Sequence, residues 1–130
     1  AELLADMKID SEKDIDVAAR KLIDMGPKAV LIKGGHFGSA SAAEFTDWLA
    51  LPDEPLIALK QPGVKTSNNH GTGCTLSAAI ATYLGLGLGI RDAIVHAQKF
   101  LNHCLRHGYA PGLGAGPPNH ASWIAKRVGE

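Results

Sequence analysis

Cysteines, aromatic residues and long apolar runs are all scarce in this chain of 130 residues. Two cysteines are too few for the disulfide framework of a small secreted domain, so the fold needs a packed apolar core. The sequence has no apolar run of about 18 residues, the length that indicates a membrane-spanning helix. The first residues, AELLADMKID, carry no apolar leader, and we expect a soluble cytoplasmic protein with free thiols.

An excess of either charge is also absent. Thirteen Lys and Arg residues balance thirteen Asp and Glu residues, and neither sign forms a block. The chain therefore lacks the basic patch by which proteins bind nucleic acid or an anionic membrane surface. We expect a small-molecule partner, with no nucleic acid and no membrane.

The first half of the chain alternates between helix and strand patterns. Ser11 and Asp14 have the spacing of a capping box, and a helical apolar pattern follows at Ile15, Ala18, Ala19, Leu22 and Ile23. Gly26 and Pro27 end this helix. The run AVLIK at residues 29–33 is typical of a strand covered on both faces, and EFTDWLAL and PLIALK predict two further strands around a turn at residues 52–55.

The second half is mainly helical. The pattern predicts one helix over residues 72–84, ended by glycines, and another from about residue 91 to Gly108, with an apolar stripe at Ile90, Ile94, Ala97, Leu101, Cys104 and Leu105. The tail is rich in Gly and Pro up to Trp123, which predicts a loop and a short final helix. Helices alternating with a buried strand indicate an α/β fold.

The segment HGTGC, residues 70–74, stands at the predicted start of a helix and is the strongest candidate site. Helix N-termini bind anions, and glycines at positions 71 and 73 let a phosphate approach the backbone. Thr72 adds a hydroxyl donor. Cys74 lies in the first turn, which favours the thiolate, a species able to accept a proton or attack an electrophile. The alternative is a glycine-rich turn that packs tightly, with Cys74 as a small buried side chain.

The segment LIKGGHFG, residues 31–38, is a second candidate. Lys33 at the end of a buried strand occupies the sheet edge where α/β proteins bind ligands, and its ammonium can neutralise phosphate. The segment matches neither the Walker motif nor the GxGxxG dinucleotide motif. The alternative is a strand end that turns through two glycines and leaves Lys33 in solvent.

Two further arrangements of side chains are weaker. His96, His103, Cys104 and His107 have spacings that a zinc site on one helix would need, but Cys104 falls on the apolar stripe. We therefore assign no metal ligand in this chain. A disulfide between Cys74 and Cys104 is not expected in a reducing compartment.

The stretches VLIKGGH, NNHGTGCTLSAAIATYLGLG and GPPNH together resemble the C-terminal half of hydroxymethylpyrimidine/phosphomethylpyrimidine kinases of thiamine biosynthesis, members of the ribokinase-like superfamily. The resemblance runs from Ala1 to about His120. It implies the C-terminal part of a three-layer α/β/α, Rossmann-like fold and a kinase that uses ATP and Mg2+. The implied substrates are 4-amino-5-hydroxymethyl-2-methylpyrimidine and its monophosphate.

The resemblance also implies roles for both candidate segments. It makes Gly71, Thr72 and Gly73 the anion hole for the transferring phosphoryl group and puts Cys74 in the catalytic-base position, where most of the superfamily has Asp. Lys33, Gly34, Gly35 and His36 would then line the ATP phosphates, with Lys33 as the charge partner. His70 receives no role.

The chain departs from the family in what it lacks. The Asn-x-x-Glu segment that supports magnesium in relatives would end just before Ala1, and the half that supplies most of the pyrimidine pocket is missing. We therefore expect residues 1–130 to be the C-terminal nucleotide-binding and catalytic portion of a longer kinase, commonly a homodimer, and inactive or weakly active alone. Two alternatives stay open, a pyridoxal or pyridoxine kinase of the same subgroup and a non-catalytic nucleotide-binding half-domain.

Overall fold

The computed structural model describes residues 1–34 and 43–128, which fall into two compact units, Ala1–Gly63 and Val64–Glu130. The elements of the first unit are α1 (Glu2–Ala5), α2 (Glu12–Asp24), β1 (Val30–Ile32), β2 (Glu44–Ala50) and β3 (Ile57–Pro62). Those of the second are α3 (Thr72–Gly85), α4 (Ile90–Arg106) and α5 (Ala121–Val128). Within the described ranges, no helix is both long and apolar enough to cross a membrane.

The start of α2 confirms the predicted capping box, with Asp in the place of the usual Glu. Ser11 Oγ accepts a hydrogen bond from the Asp14 amide at 3.3 Å and donates one to Asp14 Oδ2 at 2.7 Å. The Asp10 amide also donates to Asp14 Oδ2, at 3.2 Å. The hydrogen bond from the Ser11 hydroxyl is the main reason why the pKa of Asp14 lies below its ordinary value.

The core of the first unit lies between α2 and the sheet. The buried side of α2 is the one that its apolar spacing predicts, and it packs with Ile32 of β1 and Ala50 of β2. Arg20 on the same helix donates to the carbonyl oxygens of Leu51 at 3.1 Å and Glu54 at 2.6 Å. One helix therefore supports the sheet and also holds the turn between β2 and β3.

The three strands form an antiparallel sheet in the order β1-β2-β3, which confirms the two strands predicted around the turn. Leu49 of β2 is paired with Leu31 on one side and Ile57 on the other. The prediction that β1 is covered on both faces is only partly right. Ile32 is buried, whereas Val30 and Leu31 are half-buried, because β1 is an edge strand in this sheet and pairs with β2 alone among the described strands.

In the second unit, α3 packs along α4. The predicted apolar stripe of α4 is confirmed at Ile94, Ala97, Leu101 and Cys104, which are buried, whereas Ile90 and Leu105 are half-buried. The helix α3 is apolar on most of its surface and buries Thr75, Leu76 and Ala79, while Leu84 is 42% exposed. Spacing in the sequence distinguishes the faces of α3 poorly, because the helix is evenly apolar.

The predicted short final helix is present and begins at Ala121, earlier than Trp123. Asn119 Oδ1 accepts a hydrogen bond from the Ser122 amide at 3.3 Å, and the Asn119 amide donates to the Cys104 carbonyl oxygen at 2.9 Å. Asn119 therefore caps α5 and ties its start to the end of α4.

Replacement of the Ser11 cap gives the first prediction. Ser11→Ala should lower the free energy of unfolding by about 1 kcal/mol at neutral pH, whereas Ser11→Thr, which keeps the hydroxyl, should lower it less. Because the native pKa of Asp14 lies below 3.8, its contribution is present above that pH and is lost as the pH falls through the native pKa. Urea titrations at pH 7 and pH 3 should therefore show a smaller effect of Ser11→Ala in acid. An equal effect of Ser11→Ala at both pH values would show that the cap does not depend on the charge of the Asp14 carboxylate.

Candidate functional site

The helix α3 begins without a side-chain cap. Gly71 occupies the N-cap position with φ 81° and ψ 11°, a left-handed conformation that favours glycine. The first intrahelical hydrogen bond runs from the Thr75 amide to the Gly71 carbonyl oxygen at 2.9 Å. The amides of Gly73 and Cys74 lie before that bond, where neither the helix nor a cap side chain supplies an acceptor. They are therefore the natural donors for a bound anion.

Gly73 and Cys74 both face open space. A Cβ added to Gly73 would meet no atom within 4 Å, and Cys74 is exposed. The packing alternative requires a glycine pressed against a neighbour and a buried thiol, and neither is found at these two positions. The structure thus leaves both residues accessible in the first turn of α3.

The first turn of α3 is in contact with a residue that sequence reasoning did not single out. Ser77 Oγ lies 3.1 Å from the carbonyl oxygens of both Gly73 and Cys74 and can donate to either. This local bond links the Ser77 side chain to the turn that carries the two amides. Its sequence signal is a serine four residues after a helix-starting glycine, which is too common to be diagnostic.

His70 contributes its backbone to the segment before α3. Its amide donates to the Gly116 carbonyl oxygen at 3.1 Å, and the Gly116 amide donates to Asn68 Oδ1 at 3.2 Å. A Cβ on Gly116 would collide with the carbonyl oxygen of Tyr109 and with the Asn68 side chain. The close approach therefore requires glycine, and it connects the loop before α3 to the GPPNH segment, which the sequence analysis used only for the resemblance.

A second contact with the GPPNH segment reaches α3 itself. His120 Nε2 lies 2.8 Å from Thr75 Oγ1, and Thr75 is the buried residue that follows Cys74. The ring of Phe100 stacks on the His120 ring with 6.2 Å between centroids. Sequence reasoning missed this pair, because no local pattern links residues that are 45 positions apart.

In the first unit, Lys33 and Gly34 follow β1. Lys33 is exposed, and both residues line a cavity of about 570 Å³ together with Ile32 and Trp48. The Gly34 amide donates to Oδ1 of the buried Asp47 at 3.0 Å. A Cβ on Gly34 would collide with the Thr46 carbonyl oxygen, so glycine is required where this segment crosses β2.

The predicted site residues are thus distributed over the two units. Gly71, Thr72, Gly73 and Cys74 are adjacent at the start of α3 in the second unit, and Lys33 and Gly34 lie in the first. Gly35 and His36 lie outside the described residues. Their predicted contact with ATP phosphates stays a prediction.

The histidines of α4 do not gather as a metal site. His103 and His107 stack with 4.3 Å between ring centroids, and His107 Nδ1 lies 2.9 Å from the His103 carbonyl oxygen. Cys104 is buried, and burial raises the pKa of its thiol to about 11. In the ranges 1–34 and 43–128, no three His, Cys, Asp or Glu side chains form a group that could hold a metal ion.

Solved structures with the same arrangement include pyridoxal kinases. The ADP complex of Bacillus subtilis pyridoxal kinase superposes with a TM-score of 0.84 at 26% identity, over 95% of this chain and 45% of the other. The complex of Staphylococcus aureus pyridoxal kinase with AMP-PCP and pyridoxal gives 0.82 at 28% identity, over 94% and 44%. The chain therefore has part of the ribokinase-like α/β fold, which confirms the predicted fold class.

The sequence comparison defines the family within that class. A family profile described as phosphomethylpyrimidine kinase matches residues 1–119. The hydroxymethylpyrimidine/phosphomethylpyrimidine kinase of Synechococcus elongatus is 43% identical over 122 residues, 92% of this chain and 44% of the relative. That of Haemophilus influenzae is 35% identical over 128 residues, 98% and 47%. The chain belongs to the phosphomethylpyrimidine kinase family and spans less than half the length of these relatives.

The open space beside Gly73 gives the second prediction. Gly73→Ala should raise the free energy of unfolding by about 0.5–1 kcal/mol, because alanine fits a helix better than glycine and would meet nothing here. Gly71→Ala, the matched variant at a positive φ, should lower the same quantity by about 1–2 kcal/mol. Urea titration of both variants tests the pair. A destabilising Gly73→Ala would restore the packing explanation for this glycine.

Proposed function

We propose that the protein containing this chain transfers a phosphoryl group from ATP to 4-amino-5-hydroxymethyl-2-methylpyrimidine and then to the resulting monophosphate. The observation that carries the proposal is the uncapped start of α3, where free amides and an exposed thiol occupy the same helical turn. Membership of the phosphomethylpyrimidine kinase family supports these substrates. The ADP and AMP-PCP complexes of the pyridoxal kinases support ATP as the donor.

The start of α3 suits the charge that develops in phosphoryl transfer. The transferring group carries negative charge on its equatorial oxygens, and catalysis rests largely on positioning and on neutralising that charge. The amides of Gly73 and Cys74, the hydroxyl of Thr72 and the positive end of the helix dipole supply fixed donors for it. Glycines at positions 71 and 73 keep Cβ atoms away from the phosphate.

Cys74 is the proposed base. Its thiolate accepts the proton of the substrate hydroxymethyl group while that oxygen forms its bond to the γ-phosphorus of ATP and the bond to ADP breaks. The products are a phosphate ester, ADP and a neutral thiol. Cys74 is exposed and stands beside the proposed phosphoryl site, as this role requires.

Lys33, Gly34, Gly35 and His36 are the proposed segment along the ATP phosphates. The exposed Lys33 can neutralise phosphate charge, and the bond from Gly34 to Asp47 gives the start of the segment a fixed backbone position. Bound Mg2+ would neutralise the phosphates further. Within residues 1–34 and 43–128, no cluster of three His, Cys, Asp or Glu side chains is present to hold this ion.

The remaining assignments follow from the same proposal. Residues 1–130 are the C-terminal nucleotide-binding and catalytic portion of the kinase, and the substrate-binding half belongs to the rest of the protein. The partner is a small pyrimidine rather than nucleic acid or membrane, and the complete protein is a cytoplasmic homodimer. The chain spans 44% of the Synechococcus elongatus kinase and 47% of the Haemophilus influenzae kinase. These shares support the assignment of the substrate-binding half to the rest of the protein.

Pyridoxal kinase activity is the second candidate. The observation in its favour is the similarity to pyridoxal kinases, one of them solved with pyridoxal. The exposed thiol of Cys74 could also add to the aldehyde of pyridoxal and form a hemithioacetal, with the thiol proton passing to the new hydroxyl.

A substrate panel distinguishes these candidates and gives the third prediction. With ATP and the complete protein, we expect ADP release with the hydroxymethylpyrimidine and with its monophosphate, measured in a coupled assay. Turnover of pyridoxal but not of the pyrimidine would replace the first candidate with the second. Binding of ATP analogues without turnover of either substrate would favour a non-catalytic nucleotide-binding module.

The base role of Cys74 gives the fourth prediction. In the complete protein, Cys74→Ser should lower kcat by a factor on the order of 10² or more with little change in ATP affinity, because only proton acceptance is lost. Steady-state kinetics measure kcat, and titration with an ATP analogue measures affinity. Unchanged turnover would remove Cys74 from the base role.

Cys104→Ala is the matched control, because Cys104 is the other cysteine of the chain and lies in the core. Its kcat should equal that of the wild type. Iodoacetamide at pH 8 should also label Cys74 well before Cys104, since the latter thiol is buried and has a pKa of about 11. Loss of activity that follows labelling of Cys74 would support the same role.

A further inference from the structure

His120 lies outside every predicted site segment, yet it bonds to the turn that carries the proposed site. Its Nε2 atom is 2.8 Å from Oγ1 of Thr75, the residue that follows Cys74. Thr75 is 8% exposed, so its hydroxyl has little access to water and depends on this bond. The bond forms with either tautomer of His120, because a threonine hydroxyl can both donate and accept.

Thr75 fixes the geometry of the residues before it. Its amide closes the first turn of α3 through the Gly71 carbonyl oxygen at 2.9 Å, and its side chain is held by His120. Gly73 and Cys74 lie between Gly71 and Thr75, the two residues that this backbone bond joins. A shift of Thr75 would therefore move the donor amides and the thiol relative to a bound phosphoryl group.

His120 is itself held from two sides. Phe100 of α4 stacks on its ring at 6.2 Å between centroids. The preceding residue, Asn119, caps α5 and donates its amide to the Cys104 carbonyl oxygen at 2.9 Å. The imidazole thus extends from a backbone that is tied to two helices, which makes it a rigid support for Thr75.

We infer that His120 is a positioning residue for phosphoryl transfer, which acts through the Thr75 hydroxyl to hold the Gly73 amide, the Cys74 amide and the Cys74 thiol in register with the transferring group. The inference rests on the proposed function. It assigns no contact with substrate to His120 or Thr75. Its consequence is an effect on the chemical step rather than on ATP binding, because the donors stay present and only their alignment changes.

Kinetics of variants of the complete protein give the fifth prediction. Thr75→Val and His120→Ala should each lower kcat about tenfold, and KM for ATP should stay within about twofold of the wild type. Thr75→Ser, which keeps the hydroxyl, should restore most of kcat. Thr82→Val is the matched control, because Thr82 lies on the same helix and its exposed hydroxyl donates to the Ala78 carbonyl oxygen at 2.9 Å, away from the helix start, and it should leave kcat unchanged.

The double variant tests whether the two residues act as one unit. Thr75→Val combined with His120→Ala should lower kcat about as much as either change alone, because both remove the same bond. A loss of kcat in the double variant that equals the product of the two single losses would overturn the inference. A wild-type kcat in Thr75→Val, or an equal loss in Thr75→Ser and Thr75→Val, would overturn it as well.

Hydrogen exchange supplies a measurement that needs no turnover. In Thr75→Val and His120→Ala, the amide of residue 75 should exchange about tenfold faster, while the amide of Ala97 at the centre of α4 should exchange as in the wild type. Wild-type turnover together with unchanged exchange at residue 75 would overturn the positioning role alone. If the wild-type protein has no kinase activity and the variants still exchange faster at residue 75, the bond is a structural contact only. That result would overturn both this role and the proposed function.

Discussion

The left-handed conformation of Gly71, with φ 81°, is the constraint on which the candidate site depends. Most helices begin at a Ser, Thr, Asp or Asn whose side chain satisfies the amides of the first turn. At α3 the N-cap residue has no side chain, and its backbone conformation favours glycine. The helix therefore gives up a stabilising cap, and the amides of Gly73 and Cys74 remain for a ligand. The start of α2, where Ser11 caps Asp14, shows the ordinary arrangement in the same chain.

An uncapped helix start needs support from elsewhere, and the loop before α5 provides it. Gly116 bonds to Asn68 and to the His70 backbone, and His120 bonds to Thr75. These contacts hold the chain on both sides of Gly71 and leave Gly73 and Cys74 between them. In the first unit, Gly34 has a comparable position, since the bond to Asp47 and the close approach to Thr46 fix the backbone beside Lys33.

Sequence reasoning predicted the features that depend on neighbouring residues. The Ser11 cap, the stripe of α4 and the start of α3 each follow from spacings of three or four residues, and the structure contains all of them. Sequence reasoning failed where the outcome depends on contacts between residues that are far apart in the sequence. The half-burial of β1 follows from its place at the edge of the sheet. The bond from His120 to Thr75 joins residues 45 positions apart, which only the fold brings together. The roles of Gly35 and His36 stay predictions from the sequence.

The two cysteines show how position decides the chemistry of one residue type. Cys104 lies on the buried stripe of α4, where loss of water disfavours the thiolate and raises the pKa to about 11, so this thiol contributes volume to the core. Cys74 is exposed in the first turn of α3, beside amides that no cap side chain satisfies. A thiol at that position has no packing role to perform, and the same amides that would hold a phosphoryl group are next to it. The role proposed for Cys74 therefore depends on the helix start that Gly71 creates, and a side chain that capped this start would compete with the proposed phosphate for the same donors.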